Sequence, residues 1–343
     1  MAGWIALSDR NEPLEGRGAA TLLERGALIL ELALPLEGAG VLLDYRASDG
    51  WLRALSVFHD PQTGIGILHR QGGSLVRHAL PGPLPQGAGT ASGTARLILR
   101  WDAPRRHWAL RYELPGGGAA EARGANPLPL PMADLLALCR GAGVTRRHRA
   151  LLWFGATRGD APPERAPWIG LRTPVATPGG LRHASSLRRG DLVLTADRGA
   201  VAVQSVRRMD LPGRGSFAPV LLRAPYFGRS ADLLVSADQL IALNGPEVEY
   251  LFGEDEVLAE ARHLTDGRSA LFDHRRAVTS CLSLDLGRPE LIQSEGCAFA
   301  SARHAAGPGG QPEQGRLPRR LLHGYEAVPL LALLGRGVGR RVA

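Results

Sequence analysis

The side chains best suited to nucleophilic, proton-transfer or metal chemistry are three cysteines and ten histidines in a chain of 343 residues. Cys139, Cys281 and Cys297 lie far apart, and no Cys-x-x-Cys pair or Cys/His cluster has zinc spacing. Three scattered cysteines are also too few for a disulfide framework. We therefore expect no metal site, and we interpret the cysteines as buried thiols.

Carboxylates offer a second kind of chemistry, since a glycoside hydrolase needs an acidic pair at a defined separation. No two acids of the first half have a diagnostic spacing, so we expect surface positions for the five that we considered. These are Glu31, Asp44, Asp60, Asp102 and Glu113. The glycine run at 115–118 is not followed by the Lys and Ser/Thr of a phosphate-binding loop, and we expect no cofactor.

All 41 basic residues of the chain are arginines, since the sequence contains no lysine. The net charge is +8, and the basic excess is concentrated near the C-terminus, at Arg316, Arg319, Arg320 and the segment 336–341. A nucleic-acid-binding protein typically shows a basic stripe with interleaved aromatic residues. That stripe is absent, so we expect no nucleic-acid partner.

Membrane and export signals are also missing from the sequence. No apolar run reaches the ~18 residues that a bilayer span needs, so we expect no membrane span. The first residues, MAGWIALSDRNEPLEGRG, lack the basic start and apolar core of a classical signal peptide. These features predict a cytoplasmic or non-classically secreted protein.

The first half of the chain consists of short apolar stretches separated by turn residues, which is typical of a β-sandwich. Residues 94–114 predict a hairpin in which large apolar residues alternate with polar ones. We interpret 115–128 as a loose connection and 131–141 as a short helix. The stretches that we predict as the other strands are 26–36, 41–47, 51–60, 64–71 and 74–80.

This run of short strands, over about residues 20–120 and ending in the hairpin LILRWDAPRRHWALRYE, resembles a concanavalin-type or laminin-G-type lectin sandwich. The resemblance implies a glycan or another protein as partner. Trp51, Trp101 and Trp108 could then serve as sugar platforms, because an indole has a large flat apolar face. A sandwich without a ligand, with these tryptophans in packing roles, remains an open alternative.

The second half contains an ordered series of motifs. Residues 169–208 follow the pattern V-A-T-P-x-G, then L-R-x-G-D-x-V-L-T-x-D-x-G. The segments 232–243, 288–299 and 319–335 supply a later strand, a late strand with its turn, and a closing helix. Together they resemble the Hint domain of Hedgehog and intein proteins, in particular the bacterial group that follows β-rich modules.

The Hint resemblance implies a self-processing chemistry. A Cys or Ser at the first position attacks the preceding carbonyl, and a Thr/Ser and a His of a later strand hold and protonate the scissile amide. The first position falls on Trp168, which has no nucleophilic atom, and the nearest hydroxyl is that of Thr173. Ser236 matches the later strand, but its His position is Gln239, and a late-strand His position falls on Ser283.

The sequence therefore predicts an all-β protein with an N-terminal β-sandwich and a Hint domain that ends in a short helix. We expect a sandwich with a short helical extension at 1–155, a linker at 156–167, the Hint domain at 168–335 and a basic tail at 336–343. The preferred interpretation is a degenerate Hint domain in a binding or assembly protein. The alternatives are self-cleavage near residues 168–173 through a displaced nucleophile, and a glycan hydrolase in the first domain.

Overall fold

The computed structural model describes residues 4–10, 22–85, 93–114, 117–158, 167–228, 230–302 and 319–340. The chain divides into two compact units. The first comprises Met1–Glu164 with Arg214–Ser216, and the second comprises Arg165–Gly213 with Phe217–Ala343. Most of the predicted linker at 156–167 lies outside the described residues.

The first unit is a β-sandwich with one short helix. Its strands are β1 (Trp4–Leu7), β2 (Leu22–Leu23), β3 (Arg25–Leu34), β4 (Gly40–Ala47), β5 (Arg53–Asp60), β6 (Gly64–Gln71), β7 (Ser74–Pro81), β8 (Gly93–Asp102), β9 (His107–Glu113), β10 (Ala119–Ala125), β11 (Leu130–Pro131), β12 (Val144–Arg147) and β13 (Leu151–Thr157). The helix α1 spans Met132–Cys139.

Two antiparallel sheets form this sandwich. One has the order β1-β13-β3-β8-β9-β10 and the other has the order β12-β4-β5-β6-β7, while β11 and β2 form a separate pair. Alternate residues of the strands face inward, as the period of two requires. The core between the sheets includes Leu28, Leu30, Leu97, Leu99, Leu110, Leu43, Leu55, Val57, Ile65 and Ile67.

The hairpin predicted at 94–114 is confirmed: β8 pairs with β9, with Trp101 opposite Trp108. The interpretation of 115–128 as a loose connection is wrong for Ala119–Ala125, which forms the edge strand β10 against β9. Its sequence, AAEARGA, has no large apolar residue to mark a strand. Pairing is favoured instead by Gly124, where an added Cβ would lie 2.4 Å from the Trp108 ring.

The second unit also consists mainly of strands. They are β14 (Ile169–Gly170), β15 (Pro174–Thr177), β16 (Gly180–His183), β17 (Leu192–Thr195), β18 (Gly199–Ala202), β19 (Ser205–Pro212), β20 (Val220–Leu222), β21 (Leu233–Val235), β22 (Leu240–Asn244), β23 (Glu256–Glu260), β24 (Ala270–Phe272), β25 (Val278–Asp285), β26 (Leu291–Ser294), β27 (Cys297–Ala300) and β28 (Arg320–Leu321). Two helices, α2 (Pro246–Phe252) and α3 (Gly324–Arg340), accompany them.

Two sheets build the second unit. One has the order β19-β25-β14-β21-β20-β24, and the other runs β16-β15-β26-β27-β22-β23-β28 with the β17-β18 hairpin joined to β26. In the hairpin, β17 pairs with β18 so that Thr195 lies opposite Gly199. The closing helix extends to Arg340 and so includes the first residues of the predicted basic tail.

The all-β fold class is confirmed, because strands account for 52% of the structure and helices for 13%. The described part of the chain has three short helices. Among the residues that the structure describes, no helix has both the length and the apolar content that crossing a membrane requires.

Candidate functional site

Trp168 and Ser236 are held together by two hydrogen bonds in the second unit. The Trp168 backbone N–H donates to Ser236 Oγ at 3.2 Å, and the Ser236 N–H donates to the Trp168 carbonyl at 3.0 Å. The strands that position them are β14, which follows Trp168 directly, and β21, which ends one residue before Ser236; Ile169 pairs with Val235. The Trp168 side chain is buried, with 3% of its surface exposed.

Gln239 and Ser283 share a narrow cleft with Trp168, whose other lining is mostly apolar. Gln239 is fully buried, and its Nε2 donates to the carbonyls of Ala300 at 2.8 Å and Leu240 at 3.3 Å. Ser283 is buried on β25, next to Leu282, which pairs with Ile169 of β14. The structure therefore brings three of the five sequence-predicted site residues to one cleft, with Ser236 bonded to the backbone beside it.

Thr173 does not line this cleft. It is the last residue of the turn at 170–173, in which its N–H donates to the Gly170 carbonyl at 3.0 Å. The side chain is 4% exposed, and its Oγ1 has no hydrogen-bond partner. The preceding carbonyl, that of Arg172, lies 3.0 Å from Nδ1 of His183.

Two of the three cysteines are unsuited to act as nucleophiles. Cys139 and Cys281 are buried, as predicted, and burial raises the pKa of each thiol. Sγ of Cys281 contacts the Met209 carbonyl at 3.6 Å. Cys297 is only half-buried, unlike the prediction. A thiol with a raised pKa holds its proton at neutral pH and is a poor nucleophile.

The family comparison decides what this unit is, because a sequence model described as the Hint domain matches residues 171–306. The chain contains a Hint domain. Apart from Arg214–Ser216, which belong to the first unit, the match lies within the second unit, and it begins three residues after Trp168. A search of curated protein sequences finds no match to the chain.

Two solved structures are similar in fold to parts of the chain. The MchDnaB-1 intein is 16% identical with a TM-score of 0.26, covering 39% of this chain and 98% of the intein. The CBM40 module of the Ruminococcus gnavus IT-sialidase, bound to α2,6 sialyllactose, is 13% identical with a TM-score of 0.32, covering 47% of this chain and 92% of the module. At these low identities and TM-scores, neither structure supports an argument about the activity of the Hint domain or of the sandwich.

The three tryptophans considered as sugar platforms lie in the sandwich and differ in how far their side chains are exposed. Trp101 and Trp108 are buried, at 3% and 8% exposure, and pack in the hairpin core. Trp101 also donates from Nε1 to the Leu23 carbonyl at 2.8 Å. Trp51 is 47% exposed. Only Trp51 of these three has a ring that a ligand can reach.

The five carboxylates considered for hydrolysis all have local structural partners. Asp60 and Asp102 accept backbone N–H groups in turns, and Glu113 pairs with Arg111 at 2.9 Å. Asp44 accepts from Thr145 at 2.6 Å. Glu31 contradicts the expected surface position, because it is completely buried. It can be buried as an ion because Arg96 pairs with it at 3.1 Å.

The sequence analysis missed a buried polar group that supports the loop carrying Trp51. Arg53 Nε donates to both oxygens of Asp134, at 3.0 and 2.9 Å, and Tyr45 Oη donates to Asp134 at 2.8 Å. Asp134 lies on α1, 81 positions from Arg53, and no local pattern signals that pairing. Burial, with the neighbouring carboxylate adding to it, raises the pKa of Tyr45.

Two histidines of the second sandwich sheet are also buried. His69 and His78 are 3% and 1% exposed, and burial lowers the pKa of each to about 4. The His78 ring meets Trp108 edge-on, with centroids 4.8 Å apart, and its Nδ1 has no partner. His69 Nε2 lies 3.2 Å from Nε2 of Gln71. Both rings are therefore neutral components of the core at neutral pH.

Proposed function

We propose that the Hint domain no longer cleaves its own chain and acts as a scaffold in a binding or assembly protein. The observation that carries the proposal is Trp168, a buried indole at the position that the Hint resemblance gives to the nucleophile. An indole offers only an N–H donor and cannot attack a carbonyl. Without an attacking atom, the amide cannot be converted to a thioester or ester.

The residue at the family's proton-transfer position is also unsuited to that role. Gln239 stands at the position of the family's His, and an amide cannot exchange a proton near neutral pH. Its Nε2 is already engaged by the carbonyls of Ala300 and Leu240. Ser236 accepts from the backbone N–H of Trp168, but this contact alone only holds the amide. These interactions favour a role in holding the fold together.

Intact-mass spectrometry of the freshly purified chain tests this proposal. We expect one species at the full-length mass, unchanged after long incubation with or without dithiothreitol. A thiol would cleave a thioester intermediate by exchange and so expose slow processing. Two fragments that divide next to Trp168 would overturn the proposal.

Thr173 provides a second candidate function, self-cleavage through a displaced nucleophile. Its hydroxyl has no partner, and His183 lies within hydrogen-bond distance of the Arg172 carbonyl. In the balanced step, Oγ1 of Thr173 bonds to the Arg172 carbonyl carbon, the C–N bond breaks, and the hydroxyl proton moves to the released amine. Water then hydrolyses the ester and divides the chain between residues 172 and 173.

A Thr173→Val variant separates this candidate from the scaffold proposal, because valine has the same shape without the hydroxyl. The displaced nucleophile predicts that fragments ending at Arg172 form in the parent chain and disappear in this variant, while Thr173→Ser retains them. The scaffold proposal predicts that all three chains remain whole. It also predicts that Thr173→Val does not lower the stability, because the buried hydroxyl makes no bond in the fold.

The partner of the sandwich completes the proposal, and we assign it as a glycan. The support is the exposed Trp51 ring on a β-sandwich that resembles lectin modules in its strand pattern. Binding of the full-length chain to immobilised oligosaccharides tests this part on its own. Absence of binding to every oligosaccharide would overturn the glycan assignment and leave a protein partner as the remaining interpretation.

A further inference from the structure

The loop between β4 and β5 presents Trp51 on a rigid support. The ring rests against Gly72 in the β6–β7 turn, where an added Cβ would lie 3.3 Å from Cε3 of the indole. Gly72 has φ +57°, and its N–H donates to the Leu52 carbonyl at 2.7 Å. Glycine is suited to this position by its positive φ and by the close approach of the ring.

Arg53 joins the loop to the core. Its guanidinium carbon lies 5.7 Å from the Trp51 ring centroid, within cation–π range. Nη1 donates to the carbonyls of Asp49 at 3.1 Å and Trp51 at 3.3 Å, so one side chain holds the loop backbone at two points. Because Arg53 is anchored in the core by Asp134, the loop is fixed before any ligand arrives.

Two exposed charged groups accompany the indole. The side chain of Asp49 is 85% exposed, and Oδ1 accepts from Nη2 of Arg53 at 2.6 Å. This hydrogen bond lowers the pKa of Asp49, so its carboxylate is ionised at neutral pH. Arg70 is exposed as well, and its Nε donates to the Gly72 carbonyl at 2.9 Å.

We infer that Trp51 and Asp49, with Arg70 beside them, form a surface site for one ring of a neutral saccharide; this rests on the glycan binding proposed above. A pyranose has an apolar C–H face that stacks on an indole, and adjacent hydroxyls that donate to a carboxylate. The ionised Asp49 disfavours an anionic sugar. The cavity below the loop is lined by Tyr45, Arg53 and Asp134, which hydrogen-bond with each other, so the ligand binds across the surface.

The test uses the full chain and four soluble probes: lactose, maltose, chitobiose and, as the acidic probe, sialyllactose. Saturation-transfer NMR and tryptophan fluorescence measure the affinities, which we expect near millimolar because one ring contributes little contact. We expect at least one neutral probe to bind. Trp51→Ala should weaken that binding by about tenfold or more, as loss of a central aromatic contact does.

Three further variants make the test specific. Asp49→Asn should weaken binding several-fold, because a carboxylate accepts stronger hydrogen bonds than an amide. Trp51→Tyr should retain part of the affinity, since it keeps an aromatic face. The matched control is Tyr250→Ala, which removes an aromatic side chain that is 82% exposed in the Hint domain. We expect this control to bind like the parent chain, and thermal melting verifies that each variant is folded.

The outcomes distinguish this site from the broader glycan proposal. If the parent chain binds none of these probes but does bind an immobilised oligosaccharide, the site is wrong while glycan binding stands; if it binds neither, both are overturned. If a neutral probe binds and Trp51→Ala binds it equally well, the site is wrong while glycan binding stands. If sialyllactose binds more tightly than lactose, the neutral ligand class is wrong.

Discussion

Trp51 and Trp168 place the same side chain in opposite settings. Trp51 is 47% exposed, beside a carboxylate that points to solvent, while Trp168 is 3% exposed in a cleft with Gln239, whose amide donates to two backbone carbonyls. In the sandwich, buried polar groups support a surface loop. In the Hint domain, the polar groups at the expected catalytic positions bond mainly to the backbone around them.

This difference shows what distinguishes a binding site from a structural cluster of similar composition. A site requires polar atoms that are held in place yet still have hydrogen-bonding capacity for a ligand. Asp49 meets this condition, because Arg53 occupies one oxygen and the side chain remains open to solvent. The cleft at Trp168 holds an indole, whose one polar group is an N–H donor, and the Gln239 amide, which already donates to two backbone carbonyls.

The largest effect is expected from breaking the support of the Trp51 loop. Asp134→Ala leaves the buried Arg53 and the Tyr45 hydroxyl without their shared acceptor, which should lower the free energy of unfolding by about 3 kcal/mol. Urea denaturation followed by tryptophan fluorescence measures this, since five of the six tryptophans belong to the sandwich. The control Glu37→Ala breaks an exposed pair with Arg149 and should change stability by less than about 0.5 kcal/mol. Equal effects of the two variants would contradict the role of the buried group.

The next effect is a pH dependence of the sandwich alone. His69 and His78 have pKa values lowered to about 4 by burial, below the ~6.5 of an unfolded chain. The unfolded chain therefore binds more protons between these values, so stability is complete above pH 6.5 and decreases as the pH falls toward 4. Each histidine contributes roughly 2–3 kcal/mol to this loss.

Urea denaturation between pH 7.5 and 4.5 measures this dependence in the parent chain and in His78→Leu, which removes one titrating ring. We expect the slope of stability against pH to become shallower in the variant. The control His107→Gln changes an exposed histidine on β9 and should leave the slope as it is. An unchanged slope in His78→Leu would show that other groups cause the acid sensitivity.

A smaller effect is expected from a substitution that disturbs the position of the exposed Trp51 ring. Gly72→Ala places a methyl group 3.3 Å from the ring at a backbone φ of +57°, and should cost about 1 kcal/mol while weakening sugar binding several-fold. The matched control Gly73→Ala has nothing within 4 Å of the added carbon. Denaturation and NMR titration give both quantities. Equal binding by the two variants would mean that the ring position does not matter.

The smallest effect is expected at the buried tryptophan. Ser236→Ala removes the acceptor of the Trp168 N–H and should lower the stability of the Hint domain by about 1 kcal/mol. Ser236→Thr keeps the hydroxyl and serves as the control. Each variant should remain at its own full-length mass. A change in chain cleavage between them would indicate that Ser236 acts in processing.

The strands of the sandwich could be predicted from the sequence because turn residues mark their ends. Residues 64–71 agree with β6 at both ends, and 41–47 agrees with β4 within one residue. The edge strand β10 could not be predicted, since its small and charged residues have no apolar alternation. Its position follows from the packing of Gly124 on Trp108, which is a tertiary contact.

The candidate sites were less accessible from the sequence. The ordered Hint motifs indicated Trp168, Gln239 and Ser283, and the fold brings these to one cleft. Distinguishing the exposed Trp51 from the buried Trp101 and Trp108 required the structure. The alternation of residues in the hairpin indicated only that Trp101 and Trp108 face inward. The bond between Arg53 and Asp134 joins strand to helix across 81 positions, so only the folded chain reveals it.

The pairing of the first and last strands of the sandwich has a consequence for how this unit can be rearranged. Trp4 of β1 lies opposite Thr157 of β13, so the two ends of the unit leave it side by side. A unit with adjacent ends can be inserted into a surface loop of another protein or circularly permuted with little distortion of its host. The antiparallel pairing of β1 with β13 therefore keeps the two ends of the sandwich close together without a covalent link.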